Sequence, residues 1–258
     1  MTADGQRGQN AGTWRTAVSV PTASATGIRV TGAQPEPEPL GPVAEAAMEY
    51  ARRLGWPLTP GFAVDGRVCG CGEDQCPHYG AHPVPGAWSI AACATPALVR
   101  VVWRMCAEAP VLTVLGRPVP GADRLGAIVV PTLVGVAALE LLAKRSAASG
   151  PAVDGHGRIS FLVDLGPDAD AAAGKAAVFE CWRRTGIDLA VLGAVPVREP
   201  GYVPLPTPGF TGPRGVVWAV RPVDGRKLPA FDAVAEVFDR AVRSTYPSLW
   251  STVRSRPA

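Results

Sequence analysis

Between residues 69 and 82 the chain reads Cys69-Gly-Cys71-Gly-Glu-Asp-Gln-Cys76-Pro-His78-Tyr-Gly-Ala-His82, placing five thiol or imidazole groups within fourteen positions. Thiolate sulfur and imidazole nitrogen suit a cation of borderline softness, and four such donors close a tetrahedral shell around zinc. The glycines and prolines permit the tight turns that a shell requires, and the stretch has almost no apolar residues to order it in another way. Cys69, Cys71, Cys76 and His82 are the expected quartet, with His78 as the substitute if Cys69 and Cys71 cannot both reach. A hydrolytic zinc keeps one position open to water beside a general base. The loop supplies no such arrangement, so the expected role is structural. The chain has six cysteines, and the other three, Cys93, Cys106 and Cys181, are scattered, which argues against a disulfide framework.

The elements that must position this loop follow from periodicity. Val43, Ala47 and Tyr50 lie on one face of a helix closed by Gly55, and Trp56 to Pro60 is extended. The loop proper runs from about residue 61 to 88, with its ligand-bearing part at 65–86. Thr95 then caps a helix with Pro96 at its first position, and Val99, Val102, Trp103 and Cys106 form an inward face that makes Cys106 a core residue. Strands are expected at 111–115 and 126–131, and a helix at 132–145 with Leu133, Val136, Leu139 or Glu140, and Leu142 or Ala143 around its apolar side. The run 158–165 alternates, with Ile159, Phe161, Val163 and Leu165 on one face and Ser160, Leu162 and Asp164 on the other. A helix at 171–184, strands at 189–197, 201–205 and 216–220, and a last helix at about 229–243 complete the domain. Val234, Val237, Phe238 and Ala241 point inward on that last helix. This order predicts an α/β (α+β) domain with a mixed sheet flanked by helices and an inserted zinc-binding loop.

The whole sequence has 258 residues, is 47% hydrophobic and 18% charged, and carries a net charge of +3. It can bury one full core, and its charge is too mild to announce a nucleic-acid binder by itself. Residues 1–40 are rich in Gly, Ser, Thr, Ala and Pro and read as a disordered tail, followed by a domain at 41–250 and a short tail at 251–258. The sequence lacks an apolar run of membrane-spanning length and a secretory leader pattern, so the expectation is a cytoplasmic protein with no membrane partner.

Several stretches taken in order resemble the N-terminal domain of bifunctional DNA primase/polymerases, the prim-pol branch of the archaeo-eukaryotic primases. They are Gly80-Ala-His82-Pro, Trp88, the helix holding Val99 to Trp103, Val129-Val-Pro131 before the helix with Gly135, Gly157-Arg-Ile-Ser-Phe161, Gly201-Tyr-Val-Pro-Leu-Pro206 and Val216-Val-Trp218. The likeness covers roughly residues 43 to 243. It implies a primase-type fold and a place in DNA replication. Active members hold two Mg²⁺ or Mn²⁺ ions with an acidic pair on one strand, contact the nucleotide phosphates with a His on the next motif strand, and add a third acid further on. The corresponding positions here carry Gly126 and Val129, which offer no anionic oxygen to a divalent ion. The phosphate-contact position carries Arg158, with His156 two residues earlier on a turn, and Asp188 and Glu199 fall out of register for the third acid.

Three functions remain open on the sequence. A degenerate prim-pol domain, a pseudoenzyme, would bind single-stranded DNA or nucleotide through Arg158, His156, Lys175, Arg214 and Arg221 and serve a separate replication or regulatory protein. An active polymerase would use a displaced acidic site, for which Asp123 and Asp164 are the candidates, with Asp154 nearby. A zinc-stabilised interaction module would bind no nucleic acid. The sequence contains no Gly-x-x-x-x-Gly-Lys-Ser/Thr phosphate loop, so any unwinding is expected from another chain.

Overall fold

The computed structural model describes residues 39–65, 68–73, 75–76, 79–84, 95–145, 150–167, 201–210 and 215–246, all within the unit Pro39–Ala258. The helix proposed at 171–184 and the strand at 189–197 lie outside these residues, as do both tails beyond residues 39 and 246.

The described chain opens with helix α1, Pro42–Arg53, which buries Val43, Ala47 and Ala51 and ends where Gly55 takes a φ of 62° that a side chain would resist. Strand β1, Leu58–Pro60, follows it. A short hairpin of β2, Val64–Asp65, and β3, Val68–Cys69, starts the Cys/His loop; neither strand is long enough to leave a period in the sequence. Helix α2, Pro96–Met105, starts where the Thr95 hydroxyl accepts the Leu98 N–H at 3.4 Å. Val99 and Trp103 are fully enclosed. Cys106 is the C-cap and only half-buried, its Sγ–H donating to the Val102 carbonyl at 3.0 Å, so it closes the helix end instead of joining the core.

Strand β4, Val111–Val114, pairs antiparallel with β1 and with β8, Tyr202–Pro204, to make a three-stranded sheet. A four-stranded antiparallel sheet runs β5-β7-β6-β9, made of β5 Leu125–Pro131, β6 Ala152–Gly155, β7 Arg158–Asp164 and β9 Val216–Val220. The α+β class and the flanking helices are as expected; among the described strands every pairing is antiparallel, and Asp164 forms one isolated parallel bridge to Ala230.

The four-stranded sheet separates two apolar cores. On one face Ile128, Val130, Ile159, Phe161 and Val163 pack against helix α3, Thr132–Lys144, and helix α4, Phe231–Thr245. On the other, Leu125, Leu162, Val153 and Val216 join the core formed by α1, α2 and the three-stranded sheet. The alternation of β7 and the inward set Val234, Val237, Phe238 and Ala241 of α4 stand as read from the sequence. For α3 the face is corrected: Val134, Gly135, Ala138 and Leu142 are buried, whereas Leu133 and Val136 are 67% and 46% exposed. This helix is apolar on nearly every side, so periodicity marks no face. The sheet decides instead by coming closest at Gly135, where a Cβ would lie 2.7 Å from the Ile159 Cβ.

Candidate functional site

The loop brings Cys69, Cys71, Cys76 and His82 together, with their four ligand atoms all within 4.8 Å of one another. Cys69 Sγ and Cys76 Sγ each lie 3.3 Å from His82 Nε2. Zinc bonds of about 2.3 Å to sulfur and 2.0 Å to nitrogen set tetrahedral edges of about 3.5–3.8 Å, so this spacing and donor set fit a zinc-like cation. Burial pushes the Cys69 thiol up, but the Cys71 and Gly80 N–H groups and the Cys71 and Cys76 side chains outweigh it, and its pKa ends below the ordinary thiol value. The thiolate is the form a metal takes. His78 lies outside the described residues, as does Trp88.

The fold closes this loop from both ends. Phe62 N–H donates to the His82 carbonyl at 3.1 Å, Val84 N–H to the Pro60 carbonyl at 3.3 Å, and Gly61 bridges Pro83, so the end of the loop runs antiparallel beside the end of β1. A Cβ at Gly61 would collide with the Gly80 carbonyl oxygen, so the approach needs glycine. The Phe62 ring centroid lies 4.7 Å from that of His82, and Cys69 and Cys76 are buried in the core shared with α1 and α2.

The second group of candidates lies on the four-stranded sheet. Strands β6 and β7 meet in a two-residue turn, His156-Gly157, with φ of 55° and 72°, the all-positive pattern of a type I′ hairpin. Arg158 opens β7 just after it, and its Nη1 is buried without a hydrogen-bond partner. The cross-strand register sets Arg158 opposite Pro131, Ser160 opposite Val129 and Leu162 opposite Ala127, so all six share one face. Gly126 lies on the other face, where a Cβ would meet the Leu165 side chain at 2.5 Å. The coupling of Gly126 with Val129 as one acidic-pair site is therefore corrected. They are three residues apart on a strand of period two, and the position that shares the face of Val129 is Ala127.

The remaining candidates are dispersed. Asp164 shares the Arg158 face but stands six residues along β7, about 20 Å away at 3.3 Å per residue. Its Oδ1 accepts the Arg124 and Gly166 N–H groups at 3.2 and 3.0 Å, so it caps a turn. Asp123 is exposed beside Arg124 at that same far end. Asp154 points to the opposite face and accepts the Thr132 hydroxyl at 3.4 Å. Arg221 is exposed just past the end of β9 that pairs with Ala152, the end away from Arg158. Lys175, Arg214, Asp188 and Glu199 lie outside the described residues.

Phe210, unmarked by any sequence pattern, stands between the two groups, stacked on Tyr79 at 6.3 Å and 5.8 Å from the His156 ring. It sits in the β8–β9 connection, and a single aromatic in a Pro/Gly loop has no period to betray its partners.

Together these features define an α+β domain with an inserted Cys/His loop able to hold a metal ion such as zinc. A family model described as bifunctional DNA primase/polymerase, N-terminal, matches residues 47–231, and the chain belongs to that family. It is thus a protein related to DNA primase/polymerases. No curated protein and no solved structure matches it. No helix among the described residues is long and apolar enough to cross a membrane.

Proposed function

We propose that this chain is a prim-pol domain that binds the phosphates of single-stranded DNA or nucleotide without polymerising, and that zinc holds its Cys/His loop as a structural centre. One observation carries the reading: the face of β5 that looks the same way as Arg158 presents Ala127 and Val129. A two-metal nucleotidyl transfer needs anionic oxygens to hold both ions, and these side chains have none. Among the described residues of the four strands, Asp164 is the only carboxylate on that face, at the far end from Arg158. The guanidinium of Arg158, by contrast, keeps its phosphate chemistry: it is always charged, and its buried Nη1 has hydrogen-bonding capacity that the protein leaves unused. When bound by Cys69, Cys71, Cys76 and His82, zinc supplies folding energy to a stretch with little apolar content. Such a module would serve a separate replication or regulatory protein.

The test has two arms. Purified protein with single-stranded template, nucleoside triphosphates and Mg²⁺ or Mn²⁺ is expected to give no primer. Products lost on Asp123→Ala or Asp164→Ala would show a displaced acidic site and end the non-polymerising reading. A fluorescein-labelled oligo-dT is expected to bind more weakly as salt rises, and Arg158→Ala to cost about tenfold and flatten the salt slope by about 0.7, one phosphate's share. Absence of DNA binding at low salt would leave an interaction module.

A further inference from the structure

We infer that the metal loop and the Arg158 hairpin are thermodynamically linked through Phe210, so that a filled metal centre tightens phosphate binding on the sheet. This rests on the phosphate-binding reading above and adds a positioning residue and a control to it. Phe210 is 4% exposed, and its ring meets two different elements. Toward the loop its ring stacks on Tyr79 with 15° between planes, and Gly80 comes so near that a Cβ there would lie 3.0 Å from Phe210 Cε2. Gly80 is also the residue whose N–H donates to Cys69 Sγ at 3.3 Å, so the contact to Phe210 and the contact to a metal ligand are made by one residue. Toward the sheet, Phe210 meets the His156 ring at 5.8 Å, tilted by 43°. Its carbonyl accepts the Val216 N–H at 3.4 Å, and Val216 pairs with Gly155, the residue before the turn.

The hairpin has reason to need this support. His156 has a φ of 55°, and it is the only non-glycine residue with positive φ among the described residues. A side chain bearing a Cβ there costs energy that its surroundings must offset. Arg158 leaves the backbone two residues later, so a turn that relaxes moves the guanidinium. Charge-assisted bidentate bonds tolerate little displacement. On the loop side of Phe210 a filled shell would add order, because residues 69–82 carry few apolar side chains beyond the buried Tyr79 and Ala81. Emptying the shell removes the seat of Phe210 and loosens the turn. Linkage is reciprocal, so DNA bound at Arg158 also retains the metal.

The experiment uses the full chain, zinc-loaded, with fluorescence anisotropy of labelled oligo-dT. Wild type, Phe210→Leu, Arg158→Ala and the double variant are compared, with near-UV circular dichroism as the check of fold. The expected result is a fivefold or greater loss of affinity for Phe210→Leu. The double variant should bind no more weakly than Arg158→Ala, because Phe210 acts through that guanidinium. Zinc should pass to a colorimetric chelator faster from Phe210→Leu than from wild type, and DNA should slow that transfer in wild type alone. Additive losses in the double variant, or unchanged DNA affinity in Phe210→Leu, would overturn the linkage. If Phe210→Leu does not fold, Tyr79→Leu cuts the same connection from the loop side and is read through the same cycle. If no form of the protein binds DNA, the phosphate-binding reading itself fails, a result distinct from binding that ignores Phe210.

Discussion

At the scale of single residues, Tyr50 shows how a polar group helps to fix one core. Its hydroxyl donates to the Pro206 carbonyl at 2.6 Å, joining α1 to the segment after β8, and its ring meets Trp218 edge-on at 6.1 Å. Burial raises its pKa more than the Trp218 side chain and the Arg221 charge lower it. Tyr50→Phe leaves Pro206 without its donor and is expected to cost about 1–2 kcal/mol in urea unfolding at pH 7. The pH dependence has a definite sign. The folded state holds the phenol proton more tightly than the unfolded chain, so the contribution of Tyr50 to stability is fully present below the ordinary tyrosine value of about 10 and is lost as pH rises through the higher folded value. The gap between wild type and Tyr50→Phe should therefore narrow in alkali, and unfolding curves at pH 8 and above pH 10 check it.

At the scale of elements, Gly135 makes a prediction that runs against helix propensity. Gly to Ala within an exposed helix gains up to about 1 kcal/mol, but here the new methyl would lie 2.7 Å from Ile159 Cβ, a stem atom of β7 that cannot swing aside. Gly135→Ala is expected to destabilise by about 1–3 kcal/mol, measured by thermal unfolding, whereas Ala143→Gly, on the exposed side of the same helix, would lose at most the propensity term. The same contact explains what could be read from sequence. Elements with a clear period gave up their facing: the i, i+3, i+4 pattern of α4 records its buried side, and the alternation of β7 sorts its residues between two faces that are both buried. Helix α3 did not, since an apolar surface all round carries no record of which side the sheet takes. The Cys/His quartet was legible because all its donors are neighbours in the chain. The acidic-pair register was not, because it depends on which of two adjacent positions on β5 faces Arg158, and that is fixed by pairing with β7. Phe210 was hidden for a related reason, since its partners lie in remote segments.

At the scale of the whole molecule, the two cores make the consequences of metal loss uneven. Cys69 and Cys76 belong to the core of α1, α2 and the three-stranded sheet, while α3 and α4 pack on the opposite face of the four-stranded sheet. Stripping zinc with a strong chelator is expected to lower the melting temperature and to speed amide exchange first in residues 61–84, with α3 and α4 keeping protection nearest the global value. Equal acceleration everywhere would mean that the cores do not open separately. The compactness of the metal loop also bears on how the protein is made. Its four ligands end at His82, so shell closure asks only for a short loop, whereas β8 and Phe210 are more than a hundred positions further along. At translation speeds of about 5–20 residues per second, a nascent chain presents a complete ligand set for roughly 6–25 s before the aromatic that packs against it exists. The cation most available at the ribosome in that interval has first claim on the loop.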